Sequence, residues 1–142
     1  MMHTQVNEKI VTSGKVHAST EEVWQKLAAF GGTHKFVPEL IEDVEVQGHG
    51  VGALRHIHIK GGGCIVEELT ALQERDGILK FVIKSTPMTI QEYEGMHIVK
   101  ALGENVCEVV FQSVYRVDAA QREEMSKLIR EFQTTFISNL HK

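Results

Sequence analysis

The sequence predicts an α+β fold in which a curved antiparallel sheet of about seven strands is crossed by one long C-terminal helix. Three observations predict it. Between residues 41 and 118 six strand-like segments follow one another, each closed by a turn signal such as Gly61-Gly62-Gly63, Asp76-Gly77 or Gly103-Glu104-Asn105. Such spacing belongs to an antiparallel meander. After residue 119 the pattern changes to apolar residues at three- and four-residue steps, the period of an amphipathic helix. Finally, 142 residues without a repeat, a low-complexity tract or a Ser/Pro-rich linker fit one domain spanning 1–142.

Each element has its own justification. Residues 9–17 read as the first strand. A helix is expected over about 19–30, with Ser19 as N-cap and Glu22 three residues on, as in a capping box. Glu21 and Glu22 suit the positive end of its dipole. Val23, Trp24, Leu27, Ala28 and Phe30 supply the apolar stripe, and Gly31-Gly32 the stop. A second short helix over 33–40 carries Pro38 inside its span, which opposes helix continuation. The six strands are expected at 41–47, 53–60, 64–73, 78–85, 90–102 and 106–118. The last helix, about 119–140, presents Met125, Leu128, Ile129, Phe132, Phe136, Ile137 and Leu140 on one side. At 1.5 Å per residue it runs roughly 30 Å, enough to cross the sheet. The sheet must bury one face against it. Where the sheet curls strongly, one helix does not fill the concavity, and a cavity results.

Composition excludes several classes. Fifteen Lys+Arg against nineteen Asp+Glu leave a net charge of −4, with no basic excess for a phosphate backbone, so no nucleic-acid partner is expected. No apolar window reaches the length of a membrane span. Residues 1–9 are polar and lack the apolar stretch of a signal peptide, which makes the cytoplasm the expected location. Cys64 and Cys107 are too few for a disulfide framework or a cysteine-built zinc site and read as free thiols.

Strand parity selects candidate site residues. Arg55, Ile57 and Ile59 share one face of their strand, while Leu54, His56, His58 and Lys60 share the other. The isoleucine face is expected to meet the helix. On the next strand Ile65, Glu67, Leu69 and Ala71 share a face, so Arg55 and Glu67 each sit among apolar neighbours. The intervening glycine run makes a hairpin that sets the two side chains opposed or diagonal. A desolvated carboxylate requires a partner, and arginine suits it. Two readings stay open, a structural ion pair and a ligand contact. Phe81 and Ile83, with Leu128, Phe132 and Phe136 of the helix, complete an apolar lining. Gln112 is assigned to the inner face of the last strand beside Val110 and Val114. That assignment turns Val109, Phe111 and Tyr115 outward, an apolar surface of the kind that marks a subunit contact and a homodimer.

Other motifs carry less. His56 and His58 share a strand face but lack the third ligand a metal wants, so no metal site is expected. Gly61-Gly62-Gly63 lacks the lysine and serine or threonine of a phosphate loop and opens no helix. No G-x-S-x-G elbow, catalytic-cysteine motif or cofactor motif is legible.

The segment Val16-His17-Ala18-Ser19-Thr20-Glu21-Glu22-Val23-Trp24 resembles the "I-x-A-P-x-x-x-V-W" opening of the START-like, Bet v 1-like (SRPBCC) superfamily, with Ser19 in place of the usual proline. Gly52-Ala53-Leu54-Arg55 is similar to the superfamily's "G-x-x-R", and Val66-Glu67-Glu68-Leu69 to its "x-E-x-L". Pro87 and Tyr93 stand where the polyketide cyclase/dehydrase-like branch often has proline and tyrosine. The resemblance spans about residues 9–140. It implies a helix-grip fold with a ligand cavity between sheet and helix, Tyr93 pointing into that cavity, and the triple-glycine loop at its entrance. Beside Tyr93, Gly95 is expected to leave room, with His97 on the same face. Three functions compete. A binding protein would hold a small hydrophobic or aromatic molecule, lipid-like or polyketide-like, against Ile57, Leu69, Phe81, Ile83, Phe132 and Phe136. A cyclase- or dehydrase-type enzyme would use Arg55, Glu67 and Tyr93 for acid/base work. An interaction module would present Phe111 and Tyr115 to a partner.

Overall fold

The computed structural model describes residues 4–141. The polar N-terminal stretch read above begins in residues 1–3, outside the described residues. The chain runs β1 (Gln5–Val16), α1 (Thr20–Ala28), α2 (Thr33–Phe36), β2 (Ile41–Gln47), β3 (Leu54–Ile59), β4 (Cys64–Gln73), β5 (Ile78–Ser85), β6 (Ile90–Gly103), β7 (Val106–Asp118) and α3 (Arg122–Ser138). The strands form one antiparallel sheet in the order β1-β7-β6-β5-β4-β3-β2. The expected helix-grip architecture is what the chain adopts, with α3 packed chiefly on β1 and β7.

Local chemistry explains the boundaries. The Ser19 hydroxyl accepts the Glu22 amide at 3.1 Å and caps α1. The expected stop at Gly31-Gly32 is in fact made one residue earlier. Phe30 itself takes the left-handed conformation, with φ +60°. Helix α2 closes at Val37, whose backbone leaves the helical region ahead of Pro38 (φ −135°, ψ 55°). The last helix is shorter than expected. Residues Ala119–Gln121 form a 3₁₀ turn capped by Asp118, whose carboxylate accepts the Ala120 amide at 2.9 Å. The seventeen residues of α3 span about 25 Å.

Two buried clusters flank a gap beneath α3. The larger gathers Trp24, Phe36, Phe81, Phe111 and Phe136; the smaller gathers Ile10, Ile90, Tyr115, Met125 and Ile129. Tyr93 packs against both. The register shift between Gln91 and Glu94, with Glu92 at φ +53°, is a bulge that lets Ile90 and Tyr93 both face inward although three residues apart.

Candidate functional site

Between the sheet and α3 lies a cavity of about 190 Å³. Every lining residue proposed above borders it except Leu69, which is fully buried in the core instead. The cavity opens where Leu40 and Leu128 border it, for these apolar side chains are 42% and 39% exposed. Leu128 thus stands at the mouth and not in the core, while Phe136 closes the wall.

Strand β7 corrects one parity assignment. Its buried face is Cys107, Val109, Phe111, Ser113, Tyr115 and Val117, and Gln112 shares the opposite, half-buried face. Both faces contain valines, so alternation alone could not choose between them; the long contact with α3 and β1 decided it. Phe111 and Tyr115 are 2% and 3% exposed, which removes the apolar outer surface that suggested a homodimer or an interaction module.

Arg55 and Glu67 stand directly opposite in the β3–β4 register. Arg55 Nε donates to Glu67 Oε1 at 2.7 Å, and Nη2 approaches the same oxygen at 2.6 Å. Nη1 donates to the Phe30 carbonyl and to Thr33 Oγ1, both at 3.2 Å. Phe30 and Phe81 rings lie 4.0 and 4.8 Å from the guanidinium carbon. The left-handed Phe30 therefore gives Arg55 both a carbonyl and a ring. Three of the five Arg55 N–H groups donate hydrogen bonds, and Nη2 closes on Glu67 as an ion pair. Among the described residues Glu67 Oε2 makes no hydrogen bond. Burial pushes the Glu67 carboxyl above its ordinary value, against the pull of Arg55.

A second polar group borders the same cavity. Tyr93 Oη lies 2.6 Å from Ser113 Oγ, Gln133 Nε2 donates to Ser113 Oγ at 2.9 Å, and Thr12 Oγ1 donates to Gln133 Oε1 at 2.7 Å. Burial, and then the charge of Glu67, push the Tyr93 hydroxyl far above its ordinary range, so it keeps its proton. The room expected over Gly95 is already filled: a Cβ there would overlap the Phe81 ring. The missing side chain lets the tip of the Phe81 ring reach over Gly95, with Tyr93 and His97 at centroid distances of 6.1 and 5.2 Å.

His97 borders the cavity and was given no role from the sequence. Its ring stacks on Phe111 at 3.6 Å, with interplanar angle 9°, and meets Phe81 and Phe136 edge-on. Nδ1 is buried without a hydrogen-bond partner. Burial, helped by the Arg55 charge, holds its pKa well below 6.5, and the ring is neutral. Its parity with Tyr93 was the signal available. Thr33, Ser113 and Gln133 gave none, because their roles arise from contacts between distant segments. His56 and His58 lie outside, bonded to Gln47 and Glu45, and no cluster suited to a metal exists among the described residues.

Comparison with known proteins agrees with this architecture. Residues 7–142 match the family described as polyketide cyclase/dehydrase and lipid transport, and the chain belongs to that family. The protein XoxI from Bacillus cereus superposes with a TM-score of 0.84 at 21% identity, covering 94% of this chain and 92% of its own. The Zhui aromatase/cyclase from a Streptomyces species gives 0.84 at 14% identity, covering 96% and 92%. Norcoclaurine synthase from Thalictrum flavum, in complex with dopamine and hydroxybenzaldehyde, gives 0.79 at 17% identity, covering 96% and 85%. At these identities the likeness concerns the fold. No protein of curated function matches the sequence. No helix among the described residues is long and apolar enough to cross a membrane.

Proposed function

We propose that the protein binds a small hydrophobic or aromatic molecule, of lipid-like or polyketide-like chemistry, in the cavity under α3. One observation carries this reading: the apolar pocket of about 190 Å³ is lined by a few buried polar groups, the pairs Arg55–Glu67 and Tyr93–Ser113. The family description is consistent with it. Binding is non-covalent in this reading. The one buried serine of the cavity, Ser113, is bonded to Tyr93 and Gln133 and to no base among the described residues.

A cyclase- or dehydrase-type enzyme is the second reading, favoured by one feature. A carboxyl raised by burial and a neutral imidazole border the same pocket, as acid/base work requires. The test is a thermal-shift screen of aromatic, polyketide-like and lipid-like compounds on the wild type, Tyr93→Phe and Arg55→Met, beside native mass spectrometry of freshly purified protein. Hits that stabilise the wild type more than the variants support the site. Equal stabilisation of all three refutes it. Turnover of a hit that Glu67→Gln abolishes while binding persists would favour the enzyme.

A further inference from the structure

The shape and charge of the cavity restrict what it accepts, and this inference rests on the ligand-binding reading above. Three observations bear on it. First, the cavity, which opens at Leu40 and Leu128, has a volume of about 190 Å³. An apolar cavity of about 150 Å³ takes a benzene ring, while drug-sized ligands occupy some 300 Å³ or more. The space thus suits one substituted ring of about ten non-hydrogen atoms. Its walls are flat rings, Phe81, Phe111 and Phe136, which suit a planar guest.

Second, the buried charges already cancel. Arg55 and Glu67 form a closed ion pair, and His97 is neutral. A charged guest would leave one uncompensated charge in an apolar chamber, at a cost no other described lining residue offsets. A neutral guest avoids it.

Third, the free hydrogen-bonding positions have a definite polarity. Arg55 gives three N–H groups to protein partners and closes Nη2 on Glu67 as an ion pair, so it positions Glu67; the open acceptor is Glu67 Oε2. In the second polar group the chain of bonds has a direction. Thr12 donates to Gln133, and Gln133 donates to Ser113. Either hydroxyl can donate the bond between Ser113 and Tyr93; when Ser113, already accepting from Gln133, donates it, the Tyr93 proton is left for the cavity. A guest must give one hydrogen bond to Glu67 and accept one from Tyr93. A hydroxyl group does both.

We infer that the ligand is a compact, neutral hydroxyaromatic molecule, a single substituted phenolic ring, held by its hydroxyl between Glu67 Oε2 and the Tyr93 hydroxyl. Long-chain lipids and fused polycycles fall outside this class, as do carboxylates and ammonium compounds.

Calorimetric titration of the wild-type protein tests it with five probes: 4-ethylphenol, its methyl ether 4-ethylanisole, 4-ethylbenzoate, oleate and tetracycline. The expected result is that 4-ethylphenol binds at least about tenfold more tightly than the ether, since loss of the donor leaves a buried carboxylate oxygen unpaired. It should also outbind the benzoate, oleate and tetracycline by similar factors. Phenol and ether of equal affinity would overturn the hydroxyl assignment without any variant. Tight binding of oleate, tetracycline or the benzoate with none of the phenol would overturn the class and leave the binding reading standing. Binding of none of the five refutes both. Glu67→Gln keeps an acceptor oxygen but loses the charge, and should reduce the preference for phenol over ether. An unchanged preference in a folded Glu67→Gln protein would show that Glu67 does not hold the hydroxyl.

Discussion

Replacing His97 by phenylalanine tests whether the buried imidazole is held neutral at a price in acid. The ring is 7% exposed, stacked on Phe111, and its Nδ1 has no partner. Its folded pKa lies well below the ordinary 6.5, from burial first and Arg55 second. The sign follows from proton counting. Between the folded and unfolded values the unfolded chain holds more protons, so the contribution of His97 is present above 6.5 and is lost as pH falls toward the folded value. From pH 7 to pH 5.5 the loss is on the order of 1 kcal/mol. Glu67 acts in the opposite sense, since its raised pKa favours the folded state as pH falls. The comparison must therefore be between proteins and not along one curve. His97→Phe removes the unpaired nitrogen and keeps a flat ring against Phe111. It should leave stability at pH 7 unchanged or raised by about 1 kcal/mol. Urea unfolding of both proteins at pH 7 and 5.5 reads the difference. The gap between them should widen by on the order of 1 kcal/mol in favour of the variant at the lower pH. A constant gap would show that the imidazole reaches solvent or a partner and is not held neutral.

Gly95→Ala should cost about 1–3 kcal/mol, because its Cβ overlaps the Phe81 ring, and ring-current shifts of Phe81 by NMR should move with it. Phe136→Ala should cost about 3–5 kcal/mol, since the ring is buried among Phe36, Phe111 and His97. Phe132→Ala should cost no more than about 2 kcal/mol, because half-buried Phe132 already faces open space and truncation only enlarges it. Denaturant titration ranks the two, and the reverse order would refute the placement of the cavity. Glu67→Ala should destabilise by about 3–5 kcal/mol by stranding Arg55, whereas the double replacement Arg55→Met with Glu67→Leu should be neutral or stabilising and abolish ligand binding. Cys64 and Cys107 should titrate as two thiols in the unfolded protein without reductant.

Much of this architecture was legible because the signals were local. Turn residues set the strands, and the three- and four-residue period set α3 to within a few residues at each end. Arg55 and Glu67 were found by parity because Ile57, Ile59 and Leu69 mark one face clearly, and the short hairpin fixes their register. Parity failed on β7, where valines stand on both faces and only tertiary contact decides. Gly95 was misread for a related reason. A glycine on an inward face signals space, but the sequence does not say whether a ligand or the ring of Phe81 fills it. The Thr12–Gln133–Ser113–Tyr93 chain joins β1, α3, β7 and β6, four segments that no spacing rule connects.

Three costly features converge on one place in the molecule. Phe30 holds a left-handed backbone without being glycine, Arg55 and Glu67 are buried ions, and His97 buries an unpaired nitrogen. Each opposes folding, the first by backbone strain and the others by desolvation. An apolar replacement of the ion pair would serve stability at least as well. Phe30 and Arg55 are moreover bound together, because the strained residue supplies the carbonyl and the ring that hold the guanidinium. The guanidinium in turn fixes Glu67 Oε1, which leaves Oε2 as the oxygen not used by the fold. A sequence selected for stability alone has no reason to keep this arrangement beside a cavity. One selected to recognise a guest has a reason, since buried polar groups discriminate most strongly against a ligand that leaves them unpaired.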